Sequence, residues 1–139
     1  MIVLDTNVLS SLIKPAPDRP VVKWLDHQPR TSIWICSVTV LEIRYGLQIL
    51  VPGRKRSALT AMFEHFVEHA IEGRIAPFDN EAAERAGELM ATRHRRGRPG
   101  ELRDTMIAGI VLARRATLAT RNITHFEDAD INVVNPWED

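Results

Sequence analysis

The sequence predicts an α/β domain in which helices cover both faces of a mostly parallel central sheet, a three-layer α/β/α sandwich. One observation is that short apolar runs of strand type alternate with longer segments of helical periodicity. Another is that the run Ile2–Leu4 is apolar throughout and ends directly in Asp5. This is typical of a buried parallel strand that delivers an acid to the carboxyl edge of a sheet, where ligands bind in such folds.

Composition indicates one ordinary soluble domain, which we take as residues 1–139. Of these residues 45% are hydrophobic and 26% are charged. The 18 basic and 18 acidic residues balance, so net charge gives no nucleic-acid signal. No apolar stretch approaches the roughly 20 residues of a membrane helix, so we expect a cytoplasmic protein with no membrane partner. The single cysteine, Cys36, is expected to be a reduced core thiol.

The first half of the chain predicts two strands and four helices. A turn at Pro15–Pro17 ends the first helix, and Pro20 fits the first turn of the second. The run Ile33–Cys36 predicts the second strand. Ser37 or Thr39 would then cap the third helix. The helices are predicted over residues 7–13, from residue 20, from the cap through residue 50, and over residues 57–72.

The second half predicts three strands and two helices. Ile75–Phe78 is a short third strand, in which Pro77 indicates an edge position or an early end. Asp79 or Asn80 would cap the alanine-rich helix that continues to about Arg96. A loop at residues 97–100, a helix from near residue 104, and strands at 117–120 and 131–134 complete the pattern.

Three acidic residues stand where such a fold would bring them to one edge of the sheet. Asp5 follows the first strand, and Glu42 lies one turn into the helix after the second strand. Asp104 opens the helix that precedes the fourth strand. Clustered carboxylates repel one another and are tolerated mainly around a hard cation. Mg²⁺ or Mn²⁺ suits such an all-oxygen site and commonly assists phosphodiester cleavage.

Each acid also has a structural alternative. Asp5 could only cap the first helix, and Asp104 could favour the N-terminus of its own helix. Thr39 and Glu42 have the spacing of a capping box, which would make Glu42 structural. A carboxylate in a first turn can cap a helix and face a metal at once, so these alternatives stay open.

Several other kinds of site are disfavoured. The chain has no phosphate-binding glycine loop and no nucleophile elbow, which argues against NTPases, dinucleotide enzymes and α/β-hydrolases. His65 and His69 have i,i+4 spacing suited to zinc but lie on the polar face of their helix, which predicts that they are solvated.

A basic stretch precedes the third acid. Arg93, Arg95, Arg96 and Arg98 crowd the end of one predicted helix and the loop after it. Cations there could simply complement the helix dipole. Alternatively, Arg98 would contact backbone phosphates, because the loop leads straight to the third acid, and Arg121 after the fourth strand could do the same.

Taken together, the motifs resemble those of PIN-domain ribonucleases, specifically the VapC-type toxins of type II toxin–antitoxin systems. The resemblance covers nearly the whole chain, and its strength lies in the order and intervals of the motifs. The motifs are Ile2–Asn7, Ser37–Gly46, Arg103–Ala108, Leu118–Asn122, His125–Phe126 and Asn135–Trp137.

The resemblance implies an acidic cluster of Asp5, Glu42 and Asp104. Asp5 and Asp104 would be the metal contacts, with Mg²⁺ as the cofactor and Mn²⁺ as the other possible ion. The fourth acidic position of the family is often Asp, whereas this chain has Asn122, which brings no charge and leaves one or two metals open. Thr6, Thr120 and Asn122 would support the cluster.

The resemblance also implies function and partners. It implies a metal-dependent endoribonuclease that hydrolyses RNA and acts as the toxin of a toxin–antitoxin pair. It further implies a homodimer, a cognate antitoxin that blocks the site, and promoter DNA reached only through the antitoxin complex.

Two other functions remain to be tested against this one. The neutral Asn122 would suit a degenerate module that binds RNA or a partner without cleavage. An aspartyl-phosphate phosphatase with Asp5 as nucleophile is also conceivable, although it would want an acid two residues later, where Asn7 stands.

Overall fold

The computed structural model describes residues 1–138 and shows a five-stranded sheet in the order β3-β2-β1-β4-β5, with every neighbouring pair parallel. The central strand β1 therefore has β2 on one side and β4 on the other. Leu4 of β1 pairs with Ala119 of β4, so the residues after these two strands emerge side by side. The strands are β1 Ile2–Leu4, β2 Ile33–Cys36, β3 Ile75–Ala76, β4 Thr117–Ala119 and β5 Asn132–Val134.

Six α-helices connect and cover the strands. Shorter turns accompany them: 3₁₀ segments at Arg30–Ser32 and Ile123–Phe126, and a π-helical turn at Phe66–Ala70 that continues α4. The helices are α1 Thr6–Leu12, α2 Arg19–Asp26, α3 Ser37–Gln48, α4 Arg54–His65, α5 Asn80–Arg95 and α6 Leu102–Arg114.

Two apolar clusters lie on opposite faces of the sheet. Val3 packs on the α5–α6 side, whereas the next residue, Leu4, packs on the side of α1 to α4, as strand alternation requires. The helices α5 and α6 approach closely: a Cβ at Gly109 would lie 2.5 Å from the Ala82 carbonyl oxygen. The predicted three-layer α/β/α sandwich is confirmed.

Several helices and strands begin or end at residues other than those predicted. Cys36 occupies the N-cap position of α3, so neither Ser37 nor Thr39 caps it. The strand β3 stops at Ala76 because Pro77 has no N–H for the ladder. Helix α4 starts at residue 54 and gives way to the π turn after residue 65, and α6 starts at Leu102. The predicted cap of α5 is correct, since Asp79 accepts a hydrogen bond from the Ala82 N–H.

Other general expectations can be compared directly. Cys36 is fully buried, as expected of a core thiol. His65 and His69 lie at the exposed surface, with ring centres 4.6 Å apart and ring planes at 42°. Within residues 1–138, no helix has the length and apolar character needed to cross a membrane.

Candidate acidic site at the carboxyl edge of the sheet

Asp5 is held rigidly at the end of the central strand. Its backbone N–H donates to the Ala119 carbonyl at 2.8 Å, and its side chain is buried, with the residue 4% exposed. One carboxylate oxygen accepts from the Thr6 N–H at 2.8 Å, which makes Asp5 the cap of α1. The other accepts from Thr120 Oγ1 at 2.7 Å and from Asn7 Nδ2 at 3.2 Å. Asp5 therefore caps a helix and still lies at the edge where the site was predicted.

The surroundings of Asp5 raise its pKa. Burial is the main cause, and the hydrogen bonds from Thr120 and Thr6 oppose it. The carboxylates of Asp104 and Glu42 raise the pKa further, so all three predicted acids act on one another through space. No basic side chain is among these groups. A bound cation would therefore be stabilised next to Asp5.

Glu42 reaches the site from the first turns of α3. Its Oε1 accepts from Thr6 Oγ1 at 2.7 Å, and Oε2 lies 3.6 Å from the Arg103 guanidinium. Thr39 is the third residue of α3 and is not its N-cap, so the capping-box alternative is wrong. Through Thr6, the helix that Asp5 caps is tied directly to Glu42.

Asp104 lies in the first turn of α6, where a negative charge suits the helix dipole. The cap itself is Glu101, whose carboxylate accepts from the Asp104 N–H at 3.1 Å. Asp104 Oδ2 lies 2.9 Å from His125 Nδ1, and the Asp104 side chain is 22% exposed. Its side chain is thus free of a capping role.

A buried arginine organises the chain around Asp104. Arg93 is 3% exposed and donates to both carboxylate oxygens of Asp128, at 3.0 and 2.9 Å. It also donates to Thr105 Oγ1 and to the His125 carbonyl oxygen, both at 2.8 Å. A Cβ at Gly100 would lie 2.8 Å from the Arg93 guanidinium, so the loop passes directly over it. Arg93, which the sequence analysis counted with the neighbouring arginines, therefore differs from them in being buried.

The end of β4 supplies the remaining predicted residues. Thr120 is fully buried, and its hydroxyl accepts from the Asn122 N–H at 3.0 Å while donating to Asp5. Asn122 is exposed, and its backbone makes this contact. The Arg121 N–H donates to Asn7 Oδ1 at 3.1 Å. The structure therefore brings Thr6 and Thr120 into contact with Asp5, whereas Asn122 contacts Thr120 through its backbone.

Arg98 lies on a groove that opens beside Asp104. The groove has a volume of about 580 Å³ and is lined by the loop after α5 and the 3₁₀ turn near His125. Arg98 is exposed and lines this groove. The charge of the groove is mixed, because Glu101 and Glu127 also line it.

The donor set suits a hard cation, although the acids are not closed into a cage. Among residues 1–138, no group of three or more His, Cys, Asp or Glu side chains is placed to hold a metal ion. Mg²⁺ usually keeps several waters and takes only one or two protein carboxylates. Asp5 and Asp104, with oxygen donors only, are compatible with that mode of binding.

The sequence analysis gave no role to several residues that now contact the acids. Asn7 bridges Asp5 and the Arg121 backbone, Arg103 pairs with Glu42, and His125 contacts Asp104. Apart from the contact of Asn7 with Asp5, which spans two residues, these contacts join residues far apart in sequence, so no local pattern could show them. Arg93 is different, because it follows Ala82, Ala86 and Leu89 at helical spacing on the buried face of α5.

Comparison with known proteins places this geometry in one family. The PIN domain family matches residues 2–132. VapC ribonuclease Y4jK of Sinorhizobium fredii is 38% identical over 138 residues, 99% of each chain. Toxin FitB of Neisseria gonorrhoeae is 34% identical over the full 139 residues of both chains. Among solved structures, FitAB bound to an IR36 DNA fragment superposes with a TM-score of 0.88 at 34% identity, over 99% of this chain and 96% of that one.

Proposed function

The chain belongs to the PIN-domain family, and from that premise we propose that it is a metal-dependent endoribonuclease that acts as the toxin of a toxin–antitoxin pair. The observation that supports this most directly is the state of Asp5. It is a buried carboxylate, oriented by three hydrogen bonds and raised in pKa by burial and two neighbouring acids. The relatives described as a VapC ribonuclease and a toxin support the same activity.

In the proposed mechanism, Asp5 and Asp104 would hold Mg²⁺, with Mn²⁺ as the alternative ion. When bound, the ion would neutralise charge on the phosphodiester and activate a water for in-line attack. Thr6 and Thr120 fix the Asp5 carboxylate, and Glu42 adds negative charge to the same edge. Arg98 and Arg121 would contact the RNA backbone, where arginine forms strong hydrogen bonds to phosphate oxygens.

The test is cleavage of a mixed RNA pool by the purified protein with Mg²⁺, with EDTA, and by Asp104→Asn with Mg²⁺. The matched control is Asp26→Asn, which changes an exposed aspartate beside the start of β2, at the opposite edge of the sheet. We expect cleavage by the wild type and the control only. Cleavage that persists in EDTA and in Asp104→Asn would contradict the proposal. Metal-independent RNA binding without cleavage would instead establish the non-cleaving module.

The phosphatase alternative fits the geometry poorly. Asn7 stands where such a phosphatase would have its second acid, and its side chain hydrogen-bonds Asp5 and the Arg121 backbone.

We further propose a cognate antitoxin as a protein partner, with promoter DNA bound only through the complex. The DNA-bound FitAB structure, which superposes on this chain, supports both partners. The chain alone should leave promoter DNA unshifted in a gel, whereas the purified toxin–antitoxin complex should shift it. A shift by the chain alone would contradict the proposal that it binds promoter DNA only through the complex. We expect the protein to act in the cytoplasm.

We also propose a homodimer. Leu41, Tyr45 and Ile49 follow one another at four-residue spacing along α3 and are 57%, 60% and 66% exposed. Such a stripe is typical of a surface that another protein chain covers, and we propose that a second copy covers it. Tyr45→Glu combined with Ile49→Glu should halve the molar mass measured by light scattering. Met90→Glu, at an exposed apolar residue on α5, should not change it.

A further inference from the structure

Trp137, in the turn that follows β5, is fixed at both its backbone and its ring. Its N–H donates to Asn135 Oδ1 at 3.0 Å, and its indole Nε1 donates to Asp18 Oδ2 at 3.1 Å. Asp18 is itself paired with Lys14 at 2.9 Å, between α1 and α2. The indole therefore has one defined orientation, set by a segment far from it in sequence.

The guanidinium of Arg121 lies over the face of this indole. The guanidinium carbon lies 4.6 Å from the centre of the Trp137 ring, the geometry of a cation–π contact. At the other end of the residue, the Arg121 N–H is held by Asn7, which also donates to Asp5. The backbone of Arg121 is thus tied to the acidic site, and its side chain is tied to the C-terminal turn.

The stacked guanidinium keeps its hydrogen-bonding edge available. Stacking occupies a face of the planar group, whereas its N–H donors point outward in the plane. Among residues 1–138, no carboxylate lies within the 4.0 Å of an ion pair with Arg121, and the residue is exposed. Arg121 does act on Asp18, whose pKa its charge helps to lower without forming an ion pair. The guanidinium therefore keeps donors for an anionic ligand.

We propose that Trp137 is a positioning residue that holds Arg121 ready to bind a backbone phosphate of the RNA on the Asp5 side of the site. This inference rests on the proposed function and adds a residue to it. An arginine already fixed in one orientation loses less rotamer freedom when it binds, so stacking strengthens the phosphate contact without touching the RNA. The effect of Trp137 should then depend on the presence of Arg121.

The experiment measures binding of a fluorescein-labelled, mixed-sequence single-stranded RNA by anisotropy, over a series of salt concentrations. All variants carry Asp5→Asn, so that the RNA stays intact. Arg121→Ala should weaken binding about tenfold. It should also lower the slope of log affinity against log salt by about 0.7, the share of one phosphate on a single strand.

Variants of Trp137 separate positioning from packing, because the ring also packs against the core. Trp137→Leu should weaken binding about two- to fivefold, the range of an exposed cation–π contact. Trp137→Phe keeps an aromatic face and should restore most of that affinity. In the Arg121→Ala background, Trp137→Leu should have no further effect.

Two outcomes would overturn the inference: an equal effect of Trp137→Leu with and without Arg121, or a loss of thermal stability with unchanged affinity. In parallel cleavage assays with Asp5 intact, Trp137→Leu should raise KM and leave kcat unchanged. Failure of the proposed function is seen separately, as a wild type that binds RNA without cleaving it. In that case the binding series still decides the role of Trp137.

Discussion

The two acids predicted to hold the metal stand in opposite surroundings. Asp5 follows a central strand, is buried, and receives hydrogen bonds only from neutral groups. Asp104 lies on the first turn of a helix, is partly exposed, and contacts His125, whose carbonyl oxygen is held by Arg93. The sheet side therefore supplies a fixed, uncompensated negative charge. The helix side supplies an acid that contacts His125, and the His125 backbone is in turn held by Arg93.

The largest effect should come from Asp5→Asn, because no other group on the sheet side can replace its charge. We expect cleavage in Mg²⁺ to fall by about a hundredfold or more, since loss of a metal ligand removes several kcal/mol of charge stabilisation. Single-turnover cleavage of the RNA pool measures this directly. An Asp5→Asn protein within a few-fold of wild type would show that the buried acid is only a helix cap.

On the helix side, the largest effect should fall on stability. Arg93→Met leaves the His125 carbonyl and Asp128 without their charged donor and should lower the free energy of unfolding by about 2–3 kcal/mol. Denaturant unfolding measures the loss. Arg95→Met, two residues away at the exposed end of α5, should change stability by less than about 0.5 kcal/mol. Equal effects of the two substitutions would mean that the buried network adds little.

The contrast between the two sides also explains what the sequence could predict. The Asp5 side is local: an apolar run that ends in an acid is visible in five residues, and parallel pairing then brings Thr120 beside it. The alternation of strands and helices along the sequence likewise predicts the three-layer arrangement. Such features depend on neighbours in sequence or on strand order alone.

The Asp104 side depends on contacts across long separations. Arg93 and Asp128 are 35 residues apart, and within a stretch of arginines only the helical spacing of α5 distinguishes the buried one. The contact between Asp104 and His125 spans 21 residues and has no local signal. The contact of Glu42 is equally invisible in the local sequence, because its hydrogen-bond partner Thr6 belongs to another helix, 36 residues away.

A smaller effect, of opposite sign, should follow from neutralising the buried acid. Burial raises the pKa of Asp5 in the folded protein. The fold therefore loses stability as the pH rises and the buried carboxyl ionises. Asp5→Asn should therefore increase the free energy of unfolding in EDTA at neutral pH, by an amount limited by the new NH₂ group facing the Asn7 NH₂ donor. Asp104→Asn, on the partly exposed side, should give no such gain. Denaturant unfolding of both variants compares the two acids, and a loss of stability in Asp5→Asn would contradict the comparison.

The smallest effect concerns acid pH on the helix side. The Arg93 guanidinium holds the pKa of Asp128 below its ordinary value, so this carboxylate stabilises the fold fully above the unfolded pKa of about 3.9. That contribution is lost as pH falls through the lower folded value. The difference in unfolding free energy between wild type and Asp128→Asn should therefore be constant from neutral pH to about pH 5 and shrink below about pH 4. Asp26→Asn serves as the exposed control. A difference that persists unchanged at low pH would mean that the charge of Asp128 adds nothing to stability. The stabilisation would then come from its hydrogen bonds alone, because the carboxylate offers Arg93 two acceptors and an asparagine offers one.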